Sequence, residues 1–418
     1  MAKLLPTEVF TPSSLPVKET NVYAARTEAE ESLDRALTRS EVPVVFGEYG
    51  VGKTTLIKKH FAEADRDGRL IHFLTPQDRK FDDVARLVLE ALDYEVVVET
   101  TKGRGATIGG EAEASYFSVL KAKLKGEITE SSSSRTELLV RTPTDHGLLN
   151  AMADAEIVLA LDEVHTASEG FRRQLASMIK ANNGLNRGWP KIVVIGTTAD
   201  AAELVKEDQG IDRILREVRV NPMTDDEARF VVTNGMGKLD IHIATELVER
   251  MVRTAAGAPA LLQEVCLDVA ERTVKRETGE VSDEDIDYAV TTFIKTSERR
   301  LTQRYMEAIE TVGPKRYRKQ ILRAMAESPS DFVTMEELTT SISKYLNETV
   351  PSTTLSGPLA TLRTPEYGEI LRDVPRPSQD GTRVYNLTAF KDPRMKAFIR
   401  VMVAVEEQGL LPKKGELS

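Results

Sequence analysis

One cysteine in 418 residues, Cys266, leaves the chain nothing with which to build a disulfide framework and points to a reducing compartment. Long apolar runs are also missing: no stretch approaches the roughly eighteen residues that a membrane-spanning helix needs. The N-terminus lacks the charged, apolar and small-residue succession of a secretory leader. A cytoplasmic protein with no membrane contact is the expectation. A positive balance is lacking too. The formal net charge is -10, which argues against wholesale coating of nucleic acid. The charge is unevenly spread, with 20 Lys and Arg against 16 Asp and Glu from Thr291 onward, and 36 against 50 before it. An acidic body with a mildly basic C-terminal piece permits a nucleic-acid contact there without demanding one.

What is present is an ordinary globular composition, 41% hydrophobic and 29% charged, in a chain too long for one core. Residues 1–20 read as an aperiodic arm. Asn21 to Arg39 reads as an amphipathic helix, so that 1–40 form an N-terminal arm and helix. Strands are predicted at Val42 to Phe46, Leu70 to Leu74, Ile157 to Leu161 and Lys191 to Ile195. Helical spacing separates them at Thr54 to Phe61, Phe81 to Leu92, His146 to Ala153 and Phe171 to Ala181. Strands alternating with helices imply a parallel sheet covered on both faces, here a core over 41–221. Residues 103–142 interrupt that rhythm. Leu120, Ala122 and Leu124 alternate with Lys121, Lys123 and Lys125, and a serine run follows, which reads as a β-hairpin insertion, either a plain surface element or one touching a partner.

From Pro222 the pattern turns helical. Thr224 with Glu227 and Ser282 with Asp285 are capping boxes, and four helices over 222–300 make a small subdomain. After Arg300, three short helices (Tyr317 to Ala326, Met335 to Leu346, Thr353 to Leu362) precede two strand-like pieces, Glu369 to Val374 and Thr382 to Leu387. Three helices and a β-wing over 301–418 are a winged-helix arrangement.

Two motifs carry the chemistry. Residues 47–54 read GEYGVGKT, the P-loop pattern of Gly47, four residues, then Gly52, Lys53 and Thr54. A strand delivers such a loop, and the backbone N–H groups of Glu48, Tyr49, Gly50, Val51 and Gly52, with the helix start at Thr54 and Thr55, wrap phosphates. The second motif, IVLALDEVH at 157–165, ends a buried strand in two carboxylates. Together they predict ATP and Mg2+ as ligands. Lys53 would neutralise the β- and γ-phosphates, Thr54 and Asp162 would hold the metal, and Glu163 would orient and deprotonate the attacking water. DEVH also fits the DExH box of superfamily 2 helicases, but no second α/β unit follows. Thr197 or Thr198, at the end of the Lys191 strand, is placed to sense the γ-phosphate. Arg213 and Arg216 in DRILR read as neighbours on one helical face; one of them either reaches a neighbouring subunit's ATP or makes a surface ion pair.

The order of these motifs resembles an AAA+ ATPase, and more narrowly the origin-recognition and STAND-like group, over roughly residues 20–400. YAARTEAEESLDRAL at 23–37 is similar to a nucleotide-contacting box and implies that Arg26 touches the cofactor. TAAGAPALLQEV at 254–265 is similar to the sensor-2 region, where Gly257 and Pro259 would shape a helix start near the nucleotide. Many AAA+ proteins carry an arginine where this chain has Ala260, which implies weaker coupling of nucleotide to lid and a switch rather than a motor. The resemblance implies an α/β fold with a P-loop parallel-sheet core, a helical lid and a C-terminal winged helix, in a homo-oligomer. Two functions follow. One is an ATP-driven switch that acts on double-stranded DNA in replication, transposition or genome defence; GTTADAAEL at 196–204 and DEVH partly resemble transposition ATPases of the TniB type. The other is a STAND-like signalling module, in antiviral defence for example, whose winged helix contacts a protein partner or effector. The recognition helix carries only Arg363, and the wing adds Arg372, Arg376 and Arg383.

Overall fold

The computed structural model describes residues 4–12, 20–75, 80–92, 95–98, 117–120, 137–140, 146–164, 167–185, 187–196, 208–297, 299–309, 317–377 and 384–409. They divide into two compact units. One holds Thr27–Gly47 and Lys53–Val220; the other holds Met1–Arg26, Glu48–Gly52 and Asn221–Ser418.

The first unit is built on strands β1 (Val42–Phe46), β2 (Leu70–Leu74), β3 (Glu95–Val98), β4 (Phe117–Leu120), β5 (Glu137–Val140), β6 (Val158–Asp162), β7 (Lys191–Gly196) and β8 (Leu215–Arg219). Five of them form one all-parallel sheet in the order β2-β6-β7-β1-β8. Strands covered on both faces need continuous apolar runs, and VLALD of β6 is buried along its whole length. The edge strand β8 is mostly exposed instead, with Val218 its one fully buried residue. Helices Asp82–Ala91, His146–Asp154 and Glu169–Leu185 bring Val84, Val88, Leu149, Met152, Leu175 and Ile179 to this core. Phe171 lies 6.3 Å from Phe73 and 5.1 Å from Phe81, centroid to centroid. Each such fully buried side chain contributes about 1.5–3 kcal/mol. Because all five strands run the same way, their carboxyl ends share one edge, where ligands of open α/β sheets bind.

The insertion is a three-stranded antiparallel sheet in the order β3-β4-β5, so the expected hairpin gains Glu95–Val98 as a third strand. Lys121, Lys123 and Lys125 lie outside the described residues. Two further boundaries differ from expectation. The first long helix spans Thr27–Thr38 and not Asn21 onward, because Val22 and Ala24 are buried in the other unit's core. DRILR is not helical: a 3-10 turn, Gln209–Ile211, leads directly into β8. Spacing of three fits a turn-to-strand junction as well as a helix, and Val218 and Val220, both buried, decide for the strand.

The second unit begins with helices Asp225–Lys238, Thr245–Ala255, Pro259–Arg276 and Asp283–Thr292. Both expected capping boxes form, at Thr224 with Glu227 and at Ser282 with Asp285. Phe10, 1% exposed, packs onto Gly235 of the first of these helices, where a Cβ would stand 2.3 Å from its ring. Helices Tyr317–Glu327, Met335–Leu346 and Ser352–Thr361 then precede β9 (Leu371–Pro377) and β10 (Val384–Phe390), which pair antiparallel. Val333 and Thr388 exchange backbone hydrogen bonds of 2.9 Å, tying the segment ahead of the second of these helices to β10. Helix Arg394–Glu407 packs on Thr245–Ala255 and Tyr317–Glu327. No helix of the described residues is long and apolar enough to cross a membrane.

Candidate nucleotide site

The phosphate loop leaves β1 at Phe46 and enters helix Lys53–His60. Gly52 has φ +95°, a left-handed conformation that costs glycine nothing and strains any other residue. Lys53 Nζ donates to the Gly47 carbonyl at 3.0 Å, closing the loop on itself. Thr54 and Thr55 occupy the first turn of the helix, whose N-terminal N–H groups and dipole favour an anion.

At the carboxyl end of β6, Asp162 is 7% exposed. The Thr54 hydroxyl donates to its Oδ2 at 2.8 Å, and His72 Nε2, reaching over from β2, lies 2.9 Å from the same atom. The Glu163 N–H donates to Oδ1 at 2.8 Å. Burial pushes the Asp162 carboxyl up, but the hydrogen bonds from His72 and Thr54 outweigh it and hold the group below the usual carboxylate range. It is therefore ionised at neutral pH. The Asp162 carbonyl is fixed as well, accepting from Thr75 Oγ1 at 2.7 Å and Thr75 N at 3.0 Å. Glu163 has φ +57°, a strained backbone for a residue with a Cβ, and its side chain is exposed. Such strain collects at functional positions.

A hydroxyl and an ionised carboxylate 2.8 Å apart, beside a lysine and a helix N-terminus, are the hard oxygen donors that suit Mg2+ on a nucleotide's phosphates. Lys53, Thr54, Thr55, Asp162 and Glu163 thus meet at one edge of the sheet. Thr197, Thr198 and His165 lie outside the described residues. Arg213 and Arg216 do not share a helical face. Arg216 sits on β8 and grips Glu41 with Nε at 2.9 Å and Nη2 at 2.7 Å, whereas Arg213 is exposed in the turn before it.

The remaining predicted residues fall in the second unit. Glu48 sends its carboxylate to Lys396, at 3.0 Å, and to Arg400, Nη1 at 3.3 Å. Burial raises its carboxyl, and the Arg400 and Lys396 contacts bring it below the usual range. Tyr49 is 51% exposed. Arg26 is buried and braces the fold: it donates to the Val51 carbonyl at 3.1 Å and to the Asn221 carbonyl, with Glu227 3.4 Å away. Gly257, φ +77°, follows Ala256, the left-handed cap of helix Thr245–Ala255, and a Cβ there would stand 3.0 Å from the Met223 carbonyl oxygen. Pro259 opens the next helix as its first residue, where a missing N–H costs nothing.

Sequence reasoning missed His72, Thr75, Lys396 and Arg400. A histidine in the otherwise apolar run LIHFL was the one available signal.

The chain is similar to Cdc6p from Pyrobaculum aerophilum at 14% identity, with 97% of this chain and 100% of that one covered and a TM-score of 0.46. A Walker-type ATPase of Pyrococcus abyssi is similar at 15% identity, covering 93% and 98%, with a TM-score of 0.46. The ADP form of the ORC2 protein of Aeropyrum pernix is similar at 12% identity, covering 97% and 99%, also at 0.46. No curated protein matches the chain. A family model described as Novel STAND NTPase 1 matches residues 14–327, which take in the phosphate loop, Asp162 and Glu163 and the four helices between Asp225 and Thr292. The chain belongs to the novel STAND NTPase 1 family.

Proposed function

We propose that the chain binds ATP with Mg2+ on the phosphate loop and hydrolyses it slowly, as a nucleotide-dependent switch. The Thr54–Asp162 pair carries this reading, since it puts a hydroxyl and an ionised carboxylate together beside Lys53. Lys53 exchanges the Gly47 carbonyl for phosphate oxygens and neutralises charge on the transferring group. Thr54 and Asp162 hold the metal, which when bound offsets the negative charge of the β- and γ-phosphates. Glu163 orients the attacking water and accepts its proton. Arg213, exposed in its turn, is better suited than Arg216 to reach a neighbour's nucleotide in a homo-oligomer, because Arg216 is committed to Glu41. Replacing Lys53 with Ala is expected to abolish binding of a fluorescent ATP analogue. Glu163→Gln should keep binding while turnover falls by about 100-fold or more. Turnover retained in Glu163→Gln would remove the base assignment.

For the C-terminal winged helix, a protein partner is the better supported surface and DNA the second. Arg363, the one basic residue at the recognition helix, is taken by Asp373 at 2.6 Å and by Thr388 at 3.2 Å. The exposed positions of that helix are Ser352, Thr353, Thr354, Ser356, Gly357 and Ala360, which give phosphate nothing to pair with. Arg383 lies outside the described residues. Hydrolysis assayed with and without double-stranded DNA at two salt concentrations separates the two: stimulation that fades with salt would return the winged helix to DNA.

A further inference from the structure

Among the described residues, Asp162 receives three hydrogen bonds on its carboxylate, two of them from side chains. Thr54 is one. It is itself assigned to the metal, so it cannot also be the donor that fixes Asp162 independently of the ion. The Glu163 N–H holds the other oxygen, Oδ1. What remains on Oδ2 is His72, from a strand on the far side of the β2–β6 pairing. His72 stands opposite Ala160 in register, two positions before the Leu74–Asp162 pair and so on the same face of the sheet. Its imidazole spans that offset and places Nε2 2.9 Å from Oδ2, with 24% of the side chain exposed.

The choice of residue is informative. β2 reads LIHFL, and Ile71 and Phe73, on the face opposite His72, are apolar and buried. A leucine or valine at position 72 would satisfy the strand. It would leave a buried carboxylate with one donor fewer, and an under-satisfied charge beside low-dielectric strands is costly. Carboxylates that serve metals are themselves held by outer partners that set their orientation.

We propose that His72 is a positioning residue for Mg2+-nucleotide binding: its Nε2–H fixes the Asp162 carboxylate in the orientation shared with Thr54. This deepens the ATP reading above and rests on it. The donor has to be at the Nε2 position, so reach matters as much as polarity. Glutamine places an amide N–H near the same point, whereas asparagine is one methylene too short. Phenylalanine keeps the ring and loses the donor.

The test is binding of a fluorescent ATP analogue to the full chain, titrated with Mg2+ and repeated in EDTA. His72→Gln should keep the Mg2+ midpoint within about threefold of wild type, while His72→Asn and His72→Phe should move it to 10–100-fold higher Mg2+, the usual cost of losing an outer partner. Binding in EDTA should stay the same in all four proteins, since Lys53 and the loop are intact. Equal midpoints for Gln and Asn would overturn the proposal, as would a loss in EDTA that matches the loss in Mg2+, which would make His72 a part of the sheet and nothing more. Should Phe fail to fold, the Gln–Asn pair decides alone, because both are polar and differ only in reach. If wild type binds no analogue under either condition, or Lys53→Ala binds as wild type does, the ATP reading itself is lost and this one with it.

Discussion

Asp268 shows what a single residue can cost a fold. It lies half-buried on helix Pro259–Arg276, four positions after Glu264 and three before Glu271, so both carboxylates face it along the helix. Burial, reinforced by those two charges, pushes its carboxyl up to about 6. A carboxylate whose folded value lies above its unfolded one takes up a proton on folding, so its favourable effect belongs to acid pH. The effect is lost as pH rises from near 4 through about 6. Asp268→Asn should therefore stabilise the chain by about 1 kcal/mol at pH 7.5, a figure reduced for solvent screening, and change little at pH 4. Thermal melts at the two pH values check it; equal shifts at both would contradict the assignment. Legibility at this scale follows sequence distance. Gly47, Gly52, Lys53 and Thr54 are fixed by a spacing that phosphate chemistry itself imposes, and Asp162 by the apolar run before it. His72 and Arg400 act on partners 90 and 352 positions away, and nothing in their own neighbourhoods records that.

Among the elements, helix starts were legible because a cap is a local contract between residues three apart. Asp285 does more than its box requires. Its Oδ2 accepts from the Ser282 N–H and hydroxyl, each at 2.9 Å, while Arg272 and Arg276 of the preceding helix close on it from the other side. Burial pushes this carboxyl up, and the hydrogen bonds and the two guanidiniums bring it below its ordinary value. Here the sign reverses: the stabilisation is whole above the ordinary carboxylate range and disappears as pH falls through the depressed native value. Asp285→Asn should cost about 3 kcal/mol at neutral pH, the scale for stripping a buried pair of one partner. The gap between mutant and wild type should narrow as pH falls below the ordinary carboxylate value; a gap constant with pH would assign the loss to shape and not to charge. β8 is the counterexample to legibility. DRILR carries a helical spacing, yet it is a turn whose last two residues, Leu215 and Arg216, open a strand set by its place beside β1 in the finished sheet.

For the molecule as a whole, the alternation of strand and helix was enough to foresee a parallel sheet, since a strand buried on both faces cannot hide its composition. The antiparallel insertion was foreseen only in part, because a third strand contributed from Glu95–Val98 comes from before the break in pattern. If Arg213 completes a neighbour's site, specific ATPase activity should rise with protein concentration and flatten once the oligomer is formed, and Arg213→Ala should lose the rise. Activity indifferent to concentration would remove the trans arginine. Glu48 carries a different lesson. Position 48 stands inside the phosphate-loop motif, yet its countercharges, Lys396 at 3% exposure and Arg400, come from far along the chain, Arg400 352 positions later. Lys396 is shared with Asp331 and the Ser330 carbonyl, so three distant stretches meet on one ammonium. A chain cut back before Arg394, or a circular permutant that frays that helix, would keep every letter of GEYGVGKT and still present phosphate with an uncompensated anion. The motif is eight residues long in print; electrically, it ends at residue 400.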